Sequence, residues 1–357
     1  MTINRRHATF ICSMLIALYA CAVLPCLAQT TNTSETRQRI VNQSPTPSPT
    51  PPIHTRAPIV TGTQSVPAAT TTTTVPVPSA LAPAAIITTG VAISAAQQNS
   101  RLKFNLNWSF GGRQQRGWYL YTALINRETG TAERDAFTTD FALAIARWQA
   151  AKNLAVTGAL DADTLYQMIA VWQARRIQEQ DRAEAVPSQL LTAPIIDFYD
   201  QTRAPELLKV EKQTYAAYKR MVAAAGQDLS LKLQVASNGE LSIAEKRLKI
   251  ISSFRSKDYQ AQLRRQSPNA GRAGLALNSP HFTGRALDLY VGGEPVDTRD
   301  SNRSIQVNTP VYKWLVKNAA RFGFYPYYYE PWHWEYIPPG GSPVGSSPPA
   351  ITVTPRN

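Results

Sequence analysis

Ser279-Pro-His281-Phe-Thr-Gly284-Arg-Ala-Leu-Asp288 and, further on, Glu330-Pro-Trp332-His333-Trp334 decide the reading of this chain. The sequence holds four histidines. His7 and His54 fall in a leader-like segment and in a Pro/Thr-rich stretch, so the foldable part keeps histidine only in these two motifs. His281, Asp288 and His333 offer two nitrogens and one carboxylate oxygen and leave a coordination position open. That is the donor set of a catalytic zinc site rather than a closed structural one. A turn at Gly284 can bring His281 and Asp288 to one ion, while His333 comes from a distant strand. Water at the open position has its pKa drawn towards about 7. Glu330, close to His333 in sequence, is the candidate base that takes its proton and passes it to a leaving amine.

The N-terminus bears Arg5 and Arg6, an apolar run from Ala8 to Ala20 and a small-residue exit near Ala28. This is the pattern of a secretory signal peptide over 1–28. The run is shorter than the ~20 apolar residues of a comfortable membrane span, and a retained anchor is the rival reading. The three cysteines, Cys12, Cys21 and Cys26, all lie inside this leader. After cleavage the protein has no thiolate for a metal and no disulfide. Leu18-Tyr-Ala-Cys21 is a weak lipoprotein-type match, so lipidation at Cys21 is a further alternative. The net charge is +13, or +11 without residues 1–28. A basic exported chain adheres to anionic polymers; export points away from nucleic acid, and solubility alone is the plain alternative.

Residues 29–100 are rich in Pro, Thr, Ser and Ala, with almost no charge after Arg56. Such composition predicts a disordered tether. A first folded unit follows over 101–182. Phe141, Ile145 and Trp148 share one helical face, with Thr138 or Asp140 as cap. Gly158 marks a turn with positive φ, and Asp161 caps a second helix through Leu165, Met168 and Ile169. Trp148-Gln149, Thr157-Gly158-Ala-Leu160-Asp161 and Thr164-Leu165 resemble the peptidoglycan-binding-like helical module. The resemblance covers about half of this unit and implies wall-glycan binding; the alternative is a helical spacer whose aromatics are core.

Residues 183–204 read as a connector with Pro187 and Pro194. The second unit spans 205–341. It predicts a helix over 207–225 with Leu208, Tyr215, Tyr218 and Met221 inward, and a strand over 249–252. A helix over 258–265, a strand over 285–290, a helix over 310–321 and a strand-like aromatic run over 322–329 follow. The class is α+β with a small antiparallel sheet, preceded by the small helical domain. Residues 342–357 read as a disordered tail.

Ser279-x-His281-x-x-Gly284-x-Ala286-x-Asp288 with Glu330-x-Trp332-His333 resembles the zinc D-alanyl-D-alanine carboxypeptidases and dipeptidases. That family includes the vancomycin-resistance enzymes and some phage endolysins and is akin to the hedgehog-type fold. The resemblance covers roughly 245–337. It implies Zn2+ held by His281, Asp288 and His333, with Glu330 as catalytic base. Ser252-Ser-Phe-Arg255-Ser256-x-x-x-Gln260 resembles the family's Ser-Gly-Tyr-Arg-Ser segment, so Arg255 takes the place of the arginine that binds and polarises substrate. A guanidinium suits a terminal carboxylate or an oxyanion. Ser253 and Phe254 depart from the family's Gly and Tyr. Ser279 and Trp332 are candidate supports for ligands or substrate, and Glu335 is either a partner for a histidine's second nitrogen or a surface carboxylate. Tyr327, Tyr328 and Tyr329 either line the cleft or pack as core and rim.

These resemblances imply a secreted zinc D,D-carboxypeptidase acting on peptidoglycan stem peptides, with no protein partner required. Two alternatives stay open. One is an endopeptidase that cuts peptide cross-links with the same zinc site. The other is a non-catalytic wall-binding protein, since fold does not guarantee activity.

Overall fold

A computed structural model of the chain describes residues 86–131, 135–266 and 276–340. The segments read above as a leader over 1–28, as a tether as far as residue 85 and as a tail over 342–357 lie outside these residues. Among the described residues no helix is long and apolar enough to cross a membrane.

The N-terminal half begins with helix α1 (Thr89–Asn105), capped by the Thr88 hydroxyl. Its first turns occupy residues assigned above to the tether. Alanines at 92, 95 and 96 explain this: Ala95 and Ala96 bury a narrow stripe against Ala142, while the larger Val91 and Ile93 stay exposed. A hairpin of β1 (Asn107–Phe110) and β2 (Arg113–Arg116) follows, then α2 (Thr122–Glu128), α3 (Thr139–Ala151) and α4 (Ala162–Ala174). Thr138 caps α3 and Asp161 caps α4 through side-chain oxygens that accept the N–H groups of Phe141 and Thr164. Phe141, Ile145 and Trp148 are buried. Gly158 has φ +73°. Buried Asn99 donates to the Gly158 carbonyl at 2.8 Å and accepts from Leu160 N at 2.7 Å. Gln149 accepts from Thr157 N and Gly158 N on the same turn. The motif residues of this unit therefore hold its turn together.

The connector is partly structured. β3 (Leu190–Thr192) pairs antiparallel with β4 (Lys209–Glu211), and β4 leads straight into α5 (Lys212–Gly226). The helix expected from residue 207 thus starts at Lys212, where the Glu211 carboxylate accepts from Gln213 N and Thr214 N as its cap. Leu208, Tyr218 and Met221 are buried and Tyr215 is half-buried.

The remaining elements are β5 (Ile250–Ser252), α6 (Lys257–Gln266), β6 (Ala286–Leu289), α7 (Asp300–Asn308), α8 (Pro310–Asn318), β7 (Phe324–Pro326) and β8 (His333–Tyr336). The four strands form an antiparallel sheet in the order β5-β6-β8-β7. Side chains alternate across a strand, and both central strands use this sharply. Leu287, Leu289, Trp334 and Tyr336 supply the apolar core face. Asp288, His333 and Glu335 take the alternate positions and are buried on the other face.

The helical half and the sheet half share one apolar core, which includes Trp118, Tyr121, Trp172, Tyr328 and Trp334. Phe110 lies 5.2 Å from Tyr328 and 5.0 Å from Tyr329 between ring centroids, and Trp172 lies 6.2 Å from Tyr328. Burying one large apolar side chain contributes roughly 1.5–3 kcal/mol. Several aromatics at one seam therefore outweigh the loss of freedom in holding the halves together. The tyrosine run divides accordingly: Tyr328 and Tyr329 pack on the helical half, and Tyr327 turns to the cleft.

Candidate metal centre

Register places the first pair of donors. Asp288 on β6 stands opposite His333 on β8, so neighbouring strands bring their side chains together on one face. His333 Nδ1 lies 2.9 Å from Asp288 Oδ1. The third donor, His281, sits in a single 3-10 turn over Pro280–Thr283 just before β6. The Ser279 hydroxyl accepts from His281 N at 3.3 Å and opens the turn. Gly284 closes it with φ +66°, and a Cβ there would come within 2.9 Å of Leu190 Cδ2 and 3.0 Å of Glu211 N. The glycine is needed both for its conformation and for the close approach of β4.

The donor atoms of His281, Asp288 and His333 all lie within 4.8 Å of one another, and the three residues are buried. His281 Nδ1 is 2.7 Å from the Ser253 carbonyl. A carbonyl only accepts, so Nδ1 carries the proton and Nε2 is left with a lone pair. That Nε2 is buried, lies 3.3 Å from Asp288 Oδ1 and has no hydrogen-bond partner. An orphaned buried nitrogen beside a carboxylate and a second imidazole is the arrangement that a divalent cation completes.

Burial, with Arg255 nearby, pushes His281 down to about 4, so it stays neutral. Burial would also lower His333, but hydrogen bonds to Asp288 and Glu335 override it and raise His333 to about 9. Burial would raise Asp288, and both histidines hold it well below the usual carboxylate range. Glu330 sits in the tight loop between Tyr327 and His333, where His333 N donates to its carbonyl at 2.9 Å. Its Oε1 is buried without a partner, and burial raises its carboxyl to about 7. A base wants this value near neutral pH.

Arg255 lies a few positions beyond β5. Its Nη2 donates to Asp288 Oδ2 at 3.0 Å, its Nη1 to Gln260 Oε1 at 3.1 Å and its Nε to Ser252 Oγ at 3.1 Å. The segment from Ser252 to Gln260 is thus one hydrogen-bonded unit around a guanidinium that also lines the cleft. Ser253 contributes more than its carbonyl: its hydroxyl donates to Lys209 O at 2.8 Å and ties β4 to this loop. Trp332 is buried, and its carbonyl accepts from Leu289 N at 2.8 Å, which fixes the approach to β8. Glu335 is the partner of the second histidine nitrogen, with Oε1 3.0 Å from His333 Nε2.

Two residues of the cleft are absent from the sequence reading. Arg176 and Arg182, from the end of the helical half, line it together with Arg255, Tyr327, Glu330 and His333. Arg176 donates to Glu335. Arg182 donates to the carbonyls of Ile177 and Asn278, and among the described residues it forms no ion pair with a carboxylate. Two cations in -Arg176-Ile-Gln-Glu-Gln-Asp-Arg182- look like a solvated charge run in sequence; only the fold turns them to the cleft.

No curated protein matches the chain. Residues 207–339, the part that carries His281, Asp288, His333, Glu330 and Arg255, match the family model described as VanY, D-alanyl-D-alanine carboxypeptidase.

Proposed function

We propose that the protein is an exported zinc metallopeptidase that removes the terminal D-alanine from peptidoglycan stem peptides. The observation that carries this reading is the buried, partnerless Nε2 of His281 beside Asp288 and His333, with the partnerless Glu330 Oε1 in the same cleft. His281 Nε2, Asp288 Oδ1 and His333 Nδ1 would hold the ion. Zinc bound there supplies Lewis-acid polarisation of a carbonyl and of water near neutral pH.

The chain's own groups account for the rest. Glu330 takes a proton from the attacking water as the water oxygen bonds to the carbonyl carbon. The C–N bond then breaks, and Glu330 delivers that proton to the departing amine. No covalent bond to the enzyme forms. Arg255 is braced by Ser252, Gln260 and Asp288 and is available as a fixed donor for substrate oxygen. Arg182 brings a cation with no carboxylate of its own among the described residues, which suits the free carboxylate of a chain end and favours exopeptidase over endopeptidase action.

The test is incubation of the zinc-loaded full chain with a pentapeptide stem ending in D-Ala-D-Ala and, separately, with a cross-linked muropeptide. Release of one alanine from the first supports the proposal. Cleavage of the second alone would make the protein a cross-link endopeptidase. Binding to sacculi with neither cleavage would leave a wall-binding protein.

A further inference from the structure

Arg176 lies two residues beyond α4, yet it reaches the far side of the metal-ligand cluster. Its Nη2 donates to Glu335 Oε1, and Ile177 N donates to Glu335 Oε2 at 2.7 Å. Glu335 Oε1 meets His333 Nε2 at 3.0 Å, and the opposite edge of that imidazole faces Asp288. The chain of contacts runs Arg176, Glu335, His333. Nothing in it is loose. Glu335 has 0 % side-chain exposure and Arg176 has 9 %. The guanidinium lies over Tyr327 with its carbon 4.0 Å from the ring centroid, and Nη1 donates to Gln173 Oε1 at 2.8 Å.

Arg176 and the Ile177 amide together hold both oxygens of Glu335 and aim the carboxylate at His333. A carboxylate so aimed fixes the ring orientation and tautomer of the histidine it contacts, and such partners matter for metal affinity. The peptidase match starts at residue 207, so this support comes from outside the matched domain.

We propose that Arg176 is a positioning residue for the metal site: it fixes Glu335 so that His333 presents Nδ1 to a divalent cation. The helical half is thereby a working part of the peptidase and more than an appended anchor. The inference rests on the reading that His281, Asp288 and His333 bind zinc, and its test reads metal affinity rather than turnover.

The full chain, stripped of metal, is titrated with zinc against a chromogenic chelator. The variants are Arg176→Met, Arg176→Lys, Glu335→Gln, the double variant Arg176→Met/Glu335→Gln, and Tyr121→Phe. Tyr121→Phe removes the 2.8 Å hydrogen bond from Arg303 at the same seam without touching Glu335. Arg176→Met should weaken zinc by about 10- to 100-fold, and Arg176→Lys should recover part of the loss. The double variant should bind about as weakly as Glu335→Gln alone, since the two act in series. Tyr121→Phe should bind like the parent. The inference fails if Arg176→Met binds like the parent, if the two losses simply add, or if Tyr121→Phe weakens zinc equally. A parent that binds no zinc removes the metal reading itself, and this inference with it. Should Arg176→Met fail to fold, the Arg176→Lys and Glu335→Gln comparison decides in the same way.

Discussion

Asp288 and His333 face each other across β6 and β8, and their Oδ1 and Nδ1 atoms stand 2.9 Å apart. The imidazole is held between two carboxylates, Asp288 and Glu335, whose hydrogen bonds override the burial that would lower it and raise His333 to about 9. A metal needs that nitrogen deprotonated. Zinc binding near pH 7.5 should therefore release about one proton from His333. Calorimetry in buffers of different ionisation enthalpy measures it. Binding enthalpies independent of the buffer would contradict the assignment.

The same shifts set the stability of the metal-free protein. His333 has a raised pKa, so its contribution is complete below its unfolded value of about 6.5 and is lost as pH climbs through about 9. Glu330 is raised to about 7, so it too favours the folded state in its protonated form and disfavours it once ionised. Glu335 is lowered to about 2 against the burial that would raise it, chiefly by Arg176; its contribution disappears as pH falls through that value. His281 works the other way: lowered to about 4, it adds stability as pH climbs towards its unfolded value of about 6.5 and offsets Glu330 there, so the metal-free melting temperature should stay nearly level between pH 5 and 6 and fall between pH 7 and 9. Glu330→Gln should remove that offset, so the variant's melting temperature should rise between pH 5 and 6.5, where the parent's stays nearly level. Parallel profiles for parent and variant would show that Glu330 does not titrate as described.

Glu330→Gln should also separate chemistry from binding. Glu330 is in the cleft but is not among the three clustered donors. The variant should keep zinc within a few-fold of the parent while kcat drops about 100- to 10,000-fold, the usual contribution of a positioned base. Loss of zinc in this variant would make Glu330 a ligand instead.

Gly284→Ala places a Cβ within 2.9 Å of Leu190 Cδ2 at a φ of +66°. Strain of this kind costs about 1–3 kcal/mol, and the turn that carries His281 is where it is relieved. The variant should melt lower and bind zinc more weakly. An unchanged melting temperature would mean that β4 gives way easily.

Arg182→Ala should raise KM for a stem peptide with a free C-terminus more than it lowers kcat, since it removes a binding cation rather than the base. An unchanged KM would release Arg182 from the role given to it.

Much of the candidate site is legible in sequence because its metal-ligating residue types are rare in this chain. Histidine outside the first 54 residues occurs only at 281 and 333, and Thr138, Gly158 and Asp161 announce local turns and caps that need no distant partner. The rest depends on partners far apart in the chain. Arg176 and Glu335 are 159 positions apart, and neither has a local pattern that predicts the other. Helix α1 hides for a different reason: its buried face is made largely of alanines, which composition cannot tell from a flexible tether. The hairpin over 107–116 is missed because its strand Arg113–Arg116 is wholly polar and has no apolar alternation.

The most direct test of the account is D-alanine release from a D-Ala-D-Ala stem pentapeptide by the full chain before chelation, after chelation and after zinc is returned. The account predicts release, its loss on chelation, and its recovery with about one zinc per chain, with His281→Ala unable to recover. Release that survives complete removal of metal would contradict it.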